Sequence, residues 1–143
     1  MNGGKQDAAP ETDGPAWESD PETLRFFDGH LSALPLYAAL ERRIREKYPE
    51  AEKRVQKTQI TFYHRHVFAC VSFARVKRKA ELPDPYIVLT LGLPYPPDTD
   101  RAAAMCEPYP GRWTVHFVMG PDPEPDSGLL EWLDRSFVFS EIK

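Results

Sequence analysis

Glu107-Pro108-Tyr109-Pro110-Gly111-Arg112-Trp113-Thr114-Val115-His116-Phe117-Val118-Met119 turns a corner and then enters a strand. The prolines and the glycine supply the corner. Successive side chains on a strand point to opposite faces. Trp113, Val115, Phe117 and Met119 therefore share one side, and Arg112, Thr114 and His116 share the other. The apolar row can enter a core. The polar row lines up a guanidinium, a hydroxyl and an imidazole, which makes it a candidate binding surface.

The same period of two runs upstream through residues 53–63. Lys57, Gln59, Thr61 and Tyr63 fall on one face with Val55, and Thr58, Ile60 and Phe62 fall on the other. His64-Arg65-His66 reads as a hairpin turn into the apolar strand 67–74, and a third strand follows at 86–91. Residues 93–111 read as one long, proline-stiffened loop, and such loops often carry function. Before the strands, Ser19 and Glu22 have capping-box spacing for a short helix with Pro21 in its first turn. Ser32 then opens a longer helix whose Leu36, Leu40, Ile44 and Tyr48 recur every four residues. Its outer face carries Glu41 and several basic residues, and Pro49 ends it. Asp126 or Ser127 can cap a last helix with Leu129, Leu130, Leu133 and Phe137 as its apolar stripe. The expectation is an α+β fold. An antiparallel four-stranded sheet is packed by two main helices in the order α-β-β-β-long loop-β-α, behind a short N-terminal helix.

A length of 143 residues bounds this to one domain. Residues 1–20 read as an acidic, disordered tail, with Lys5 against Asp7, Glu11, Asp13, Glu18 and Asp20. The tail's net charge equals the −4 of the whole chain, so the domain at 21–143 is neutral. A neutral body argues against a dedicated nucleic-acid binder, although Arg75-Val76-Lys77-Arg78-Lys79 is a basic run. No apolar stretch is long enough to span a membrane. The N-terminus lacks the basic and apolar regions of a secretory signal, and Cys70 and Cys106 have no paired spacing. A cytoplasmic protein with reduced thiols is expected.

The site expected from this pattern is a pocket on one sheet face. Lys57 and Thr61 from one strand would meet Arg112, Thr114 and His116 from another, with Arg101 and Asp98 closing over them. Lysine and arginine favour carboxylates and phosphates, and a histidine beside them can move a proton. His64 and His66 lack further ligands for a metal. There is no GxSxG elbow and no Gly-rich phosphate loop, and Cys106 with His116 would need contact to act as a nucleophile pair.

Taken together, Phe26-Phe27-Asp28-Gly29, Leu36-Tyr37-Ala38-Ala39-Leu40, Lys57-Thr58-Gln59-Ile60-Thr61-Phe62, Phe68-Ala69, Glu107 to Thr114 and Leu130-Glu131-Trp132-Leu133 resemble the bacterial domain of unknown function 5655 family, from about residue 24 to the C-terminus. The family's strand reads Arg-Trp-Thr-His-His; Val115 stands at the first histidine and His116 matches the second. Asp98 and Arg101 resemble its Asp-Ser-x-Arg loop, with Thr99 in place of serine. The resemblance implies a fold and no established chemistry. The functional expectation is a small binding or accessory domain that recognises an anionic small molecule in a pocket on the sheet, with no cofactor and no metal, and with catalytic residues unassigned. The alternatives are a protein-interaction module presenting Tyr95, Met105 and Tyr109, and an enzyme or nucleic-acid-associated domain.

Overall fold

In the computed structural model the described residues are 20–122 and 124–143. Ser19 and nearly all of the acidic tail lie outside them. The described chain runs α1 (Pro21–Phe26), a 3-10 turn (Leu31–Ala33), α2 (Leu34–Lys47), β1 (Glu52–Val55), β2 (Ile60–Tyr63), β3 (Val67–Ser72), a 3-10 turn (Lys79–Glu81), β4 (Ile87–Leu93), β5 (Ala102–Tyr109), β6 (Arg112–Met119) and α3 (Ser127–Ile142). The strands form one six-stranded antiparallel sheet in the order β1-β2-β3-β4-β6-β5.

The α+β class holds, but the four-stranded sheet does not. Two strands hid inside other readings. Residues 53–63 are two strands, β1 and β2, joined by the turn 56–59, with Val55 opposite Ile60. That turn is built from Gln56-Lys57-Thr58-Gln59, which contains no glycine or proline to announce it. The loop expected at 93–111 contains β5, which folds back on β6 through Pro110 and Gly111, the latter at φ +76°. A left-handed φ of this kind favours glycine.

One sheet face is dry. Ile60, Phe62, Ala69, Val71, Leu89, Leu91, Val115 and Phe117 pack there against Leu36, Tyr37, Leu40 and Ile44 of α2 and Leu129, Leu130 and Leu133 of α3. The alternation read for β6 is thus the observed one. A bulge gives β3 one extra residue, because Phe62 pairs with Ala69 while Tyr63 pairs with Val67. The extra residue, Phe68, reaches Tyr48 and Phe137 edge-on. Where β3 and β4 separate beyond Ala69 and Leu91, Ser136 of α3 takes over the ladder. It donates to the Phe68 carbonyl at 2.6 Å and accepts from the Gly92 amide at 3.1 Å.

Aspartates cap α1 and α3, whereas α2 starts after Ala33 without a side-chain cap, so Ser32 does not cap it. The carboxylate of Asp20 accepts the Thr23 amide at 2.7 Å to start α1. Asp126 accepts the Leu129 amide at 2.8 Å to start α3. Both carboxyls are held below the usual range of their type, Asp126 chiefly by that amide and Asp20 by the same kind of bond against the opposing effect of burial. Asp134 joins the end of α2 to α3, accepting from the Tyr48 hydroxyl and from Lys47 at 3.0 Å. Burial and that carboxylate push the Tyr48 phenol well above its ordinary range.

Candidate functional site

Pairing register sets the second face. Thr61, Cys70, Thr90, His116 and Ala104 stand opposite one another on β2, β3, β4, β6 and β5 and form one row across it. At one end of the row the Thr61 hydroxyl donates to Gln56 at 2.7 Å, and the Gln59 amide reaches Gln56, Thr61 and Cys70. Burial pushes the Cys70 thiol above its ordinary value. Further along, Thr90 Oγ1 and His116 Nδ1 are 2.8 Å apart. Desolvation holds the half-buried His116 imidazole below its ordinary value of 6.5, so the ring is neutral near neutral pH.

Thr61, Thr114 and His116 therefore do share a face, as the alternation predicted. Lys57 and Arg112 do not share a hollow. Lys57 sits in the 56–59 turn beyond one end of β2, whereas Arg112 opens β6 at the opposite end of the sheet. From strand rise and strand spacing their positions are roughly 20 Å or more apart. Arg112 instead lies near Lys143, whose ammonium is held below its ordinary range by burial first and by the Arg112 charge second. Arg101 is also elsewhere, donating to the α3 cap Asp126 at 2.8 Å, so it does not close over the face.

The other candidates are distributed by the fold. His64 contacts Glu141 at 3.2 Å and His66 contacts the Ser140 carbonyl at 2.9 Å, so both pin the β2–β3 hairpin to α3. Among the described residues no cluster of three or more His, Cys, Asp or Glu could hold a metal ion, and no helix is long and apolar enough to cross a membrane. Cys106 pairs with Thr114 while His116 pairs with Ala104, which makes Cys106 and His116 diagonal neighbours rather than partners. Both thiols are free. The basic run at 75–79 is an exposed loop in which Arg78 pairs with Glu81 at 3.1 Å.

A groove forms where Lys57 actually lies. The segment after α1, the 56–59 turn and the end of β3 enclose about 560 Å³. Phe73 is its aromatic wall, stacked on His30 with ring centroids 4.0 Å apart and on Phe26 at 5.5 Å. Gln59, Ser72 and Thr58 supply polar groups, and Lys57 and Asp28 supply charge. Among the described residues Lys57 makes no ion pair or hydrogen bond. The volume falls in the range of small-ligand sites. The pattern reading found Lys57 and Gln59 but missed Phe26, His30 and Phe73. They come from three separate segments and share no period, so only the fold collects them.

The sequence profile of the family described as Domain of unknown function (DUF5655) matches residues 25–140. The chain belongs to the DUF5655 family. Its matched span holds the sheet, α2, the groove and nearly all of α3. No curated protein and no solved structure matches the chain. DUF5655 is a family without an assigned activity, so the chemistry of this member rests on the groove and the sheet face themselves.

Proposed function

We propose that this DUF5655 protein is a small-molecule binding module whose ligand joins a flat ring to an anionic group, seated in the groove beside Lys57. The observation that carries this reading is a cation with no internal partner among the described residues at the mouth of an aromatic-walled groove. A ring packed against the His30–Phe73–Phe26 stack gains apolar contact and quadrupole attraction. Its carboxylate or phosphate meets the Lys57 ammonium, a point charge suited to anions. Asp28, which also lines the groove, disfavours a second negative charge there.

A second reading keeps the anion on the sheet face, at Arg112 and Lys143. Its support is that Lys143 Nζ lies 4.0 Å from the Cβ position of Gly92, whose partner Thr114 shares the polar row of β6 with Arg112.

Thermal-shift and NMR titrations with nucleoside monophosphates, aromatic carboxylates and inorganic phosphate test both. The first reading expects ring-bearing anions to raise the melting temperature and inorganic phosphate to do so weakly. Lys57→Ala abolishes that shift while leaving the unliganded melting temperature unchanged, because the side chain is exposed. Loss in Arg112→Ala but not in Lys57→Ala overturns the first reading in favour of the second. No shift with any of these probes overturns both.

A further inference from the structure

The two edges of the sheet are built differently, and the difference points to a partner. The β1 edge is defended. It is four residues long, carries Glu52, Lys53 and Arg54, turns Lys53 inward to Glu41, and lies beside α1. Short strands, inward charges and a covering helix are the usual devices that keep an edge from pairing. The β5 edge lacks most of them. It is twice as long, and its first five residues, Ala102-Ala103-Ala104-Met105-Cys106, carry no charge. Met105 and Tyr109 are exposed large side chains on it, at 39% and 68%.

The flanking charges are already engaged within the molecule. Arg101 is held by Asp126, and the Glu107 carboxylate accepts the Gly111 amide of its own hairpin at 2.9 Å. What β5 presents outward is therefore a backbone ladder without electrostatic guards. The register irregularities between Ala102 and Ala104 and between Cys106 and Tyr109, with Pro108 in the second, confine regular pairing to the centre of the strand.

We propose that β5 pairs antiparallel with β5 of a second copy of this chain, joining two six-stranded sheets across a two-fold axis near Met105 and Cys106. An antiparallel edge is self-complementary, since each strand offers the other the same alternation of donors and acceptors. The uncharged 102–106 stretch lets a second copy approach without like-charge repulsion. Met105, exposed beside the proposed axis, would then meet the Met105–Cys106 segment of the second copy, an apolar contact that the two-fold pairing makes twice. A single strand pair buries less than the roughly 1,600 Å² of a standard interface, so the dimer is weak, with dissociation in the micromolar range or above. This surface is separate from the Lys57 groove and does not depend on it.

Sedimentation velocity on the full chain over a concentration series, with amide hydrogen exchange at the two ends of the series, tests the proposal. The expected result is a reversible monomer–dimer equilibrium in which slowed exchange at high concentration is confined to β5. Met105→Lys, which places like charges across the axis, shifts the equilibrium to monomer with an unchanged melting temperature. Ile142→Lys, on the exposed apolar end of α3, leaves the dimer intact. A monomer at every concentration overturns the proposal. So does a dimer whose β5 amides exchange at the monomer rate, or one that Ile142→Lys dissolves and Met105→Lys does not.

Discussion

Lys53 Nζ lies 3.0 Å from Glu41 Oε1, with the two side chains 6% and 0% exposed. The same ammonium reaches Asp20 at 3.2 Å and the Thr23 hydroxyl. One charge on β1 thus fastens α1, α2 and the sheet edge together. A buried ion pair is a poor source of net stability, but removing one member takes a counter-charge from the other in a low-dielectric site.

Lys53→Met is accordingly expected to lower unfolding free energy by about 3–5 kcal/mol, because it leaves the buried Glu41 carboxylate without this ammonium. Lys53→Met combined with Glu41→Leu should cost less than the single change, since both charges leave together. Urea unfolding with a constant m-value measures this. A double variant less stable than Lys53→Met contradicts the argument.

His116 makes stability depend on pH. Its folded-state value is held below 6.5 by desolvation, so the unfolded chain binds the proton first as pH falls. Stability therefore declines as pH drops from 6.5 towards the folded-state value, and is regained as pH rises back through that window. His116→Gln, which cannot titrate, removes this part of the slope while keeping a partner for Thr90. Denaturation midpoints of the two proteins between about pH 5 and pH 7.5 are the measurement, because that interval brackets the imidazole range. Parallel curves would show that His116 titrates alike in the folded and unfolded chains.

These residues mark where the sequence was legible. The β6 alternation from Trp113 to Met119 was readable because one face is uniformly apolar and buried, and the four-residue recurrence in α2 was readable for the same reason. β5 was hidden because Ala102-Ala103-Ala104 has no contrast between faces and Pro108 looks like loop. Glu41 looked like outer-face charge, because no local pattern reveals that a lysine on another element will meet it. The candidate site suffered from the same blindness. Lys57 and Arg112 lined up only while residues 53–63 were one strand, and the polar turn at 56–59 moved Lys57 into a groove with Phe26, His30 and Phe73.

Gly120 shows how tightly the end of β6 is held. It follows Met119, which pairs with Ile87 at the start of β4, and it adopts φ +135°. A Cβ there would collide with the Pro85 carbonyl oxygen and come within 3.2 Å of Leu36 Cδ1 and of Tyr86 Cα. Two of these three atoms are backbone and have little room to move. Gly111, at φ +76°, has nothing within 4 Å of the same position. Gly111→Ala should therefore cost only the conformational term of a left-handed residue, about 1 kcal/mol. Gly120→Ala adds a steric term and should cost at least twice as much. At about 4 °C of melting temperature per kcal/mol for a domain of this size, thermal unfolding resolves the difference. Equal losses at the two sites would mean that the β6 exit relaxes freely and that its contact with Pro85 does not constrain the fold.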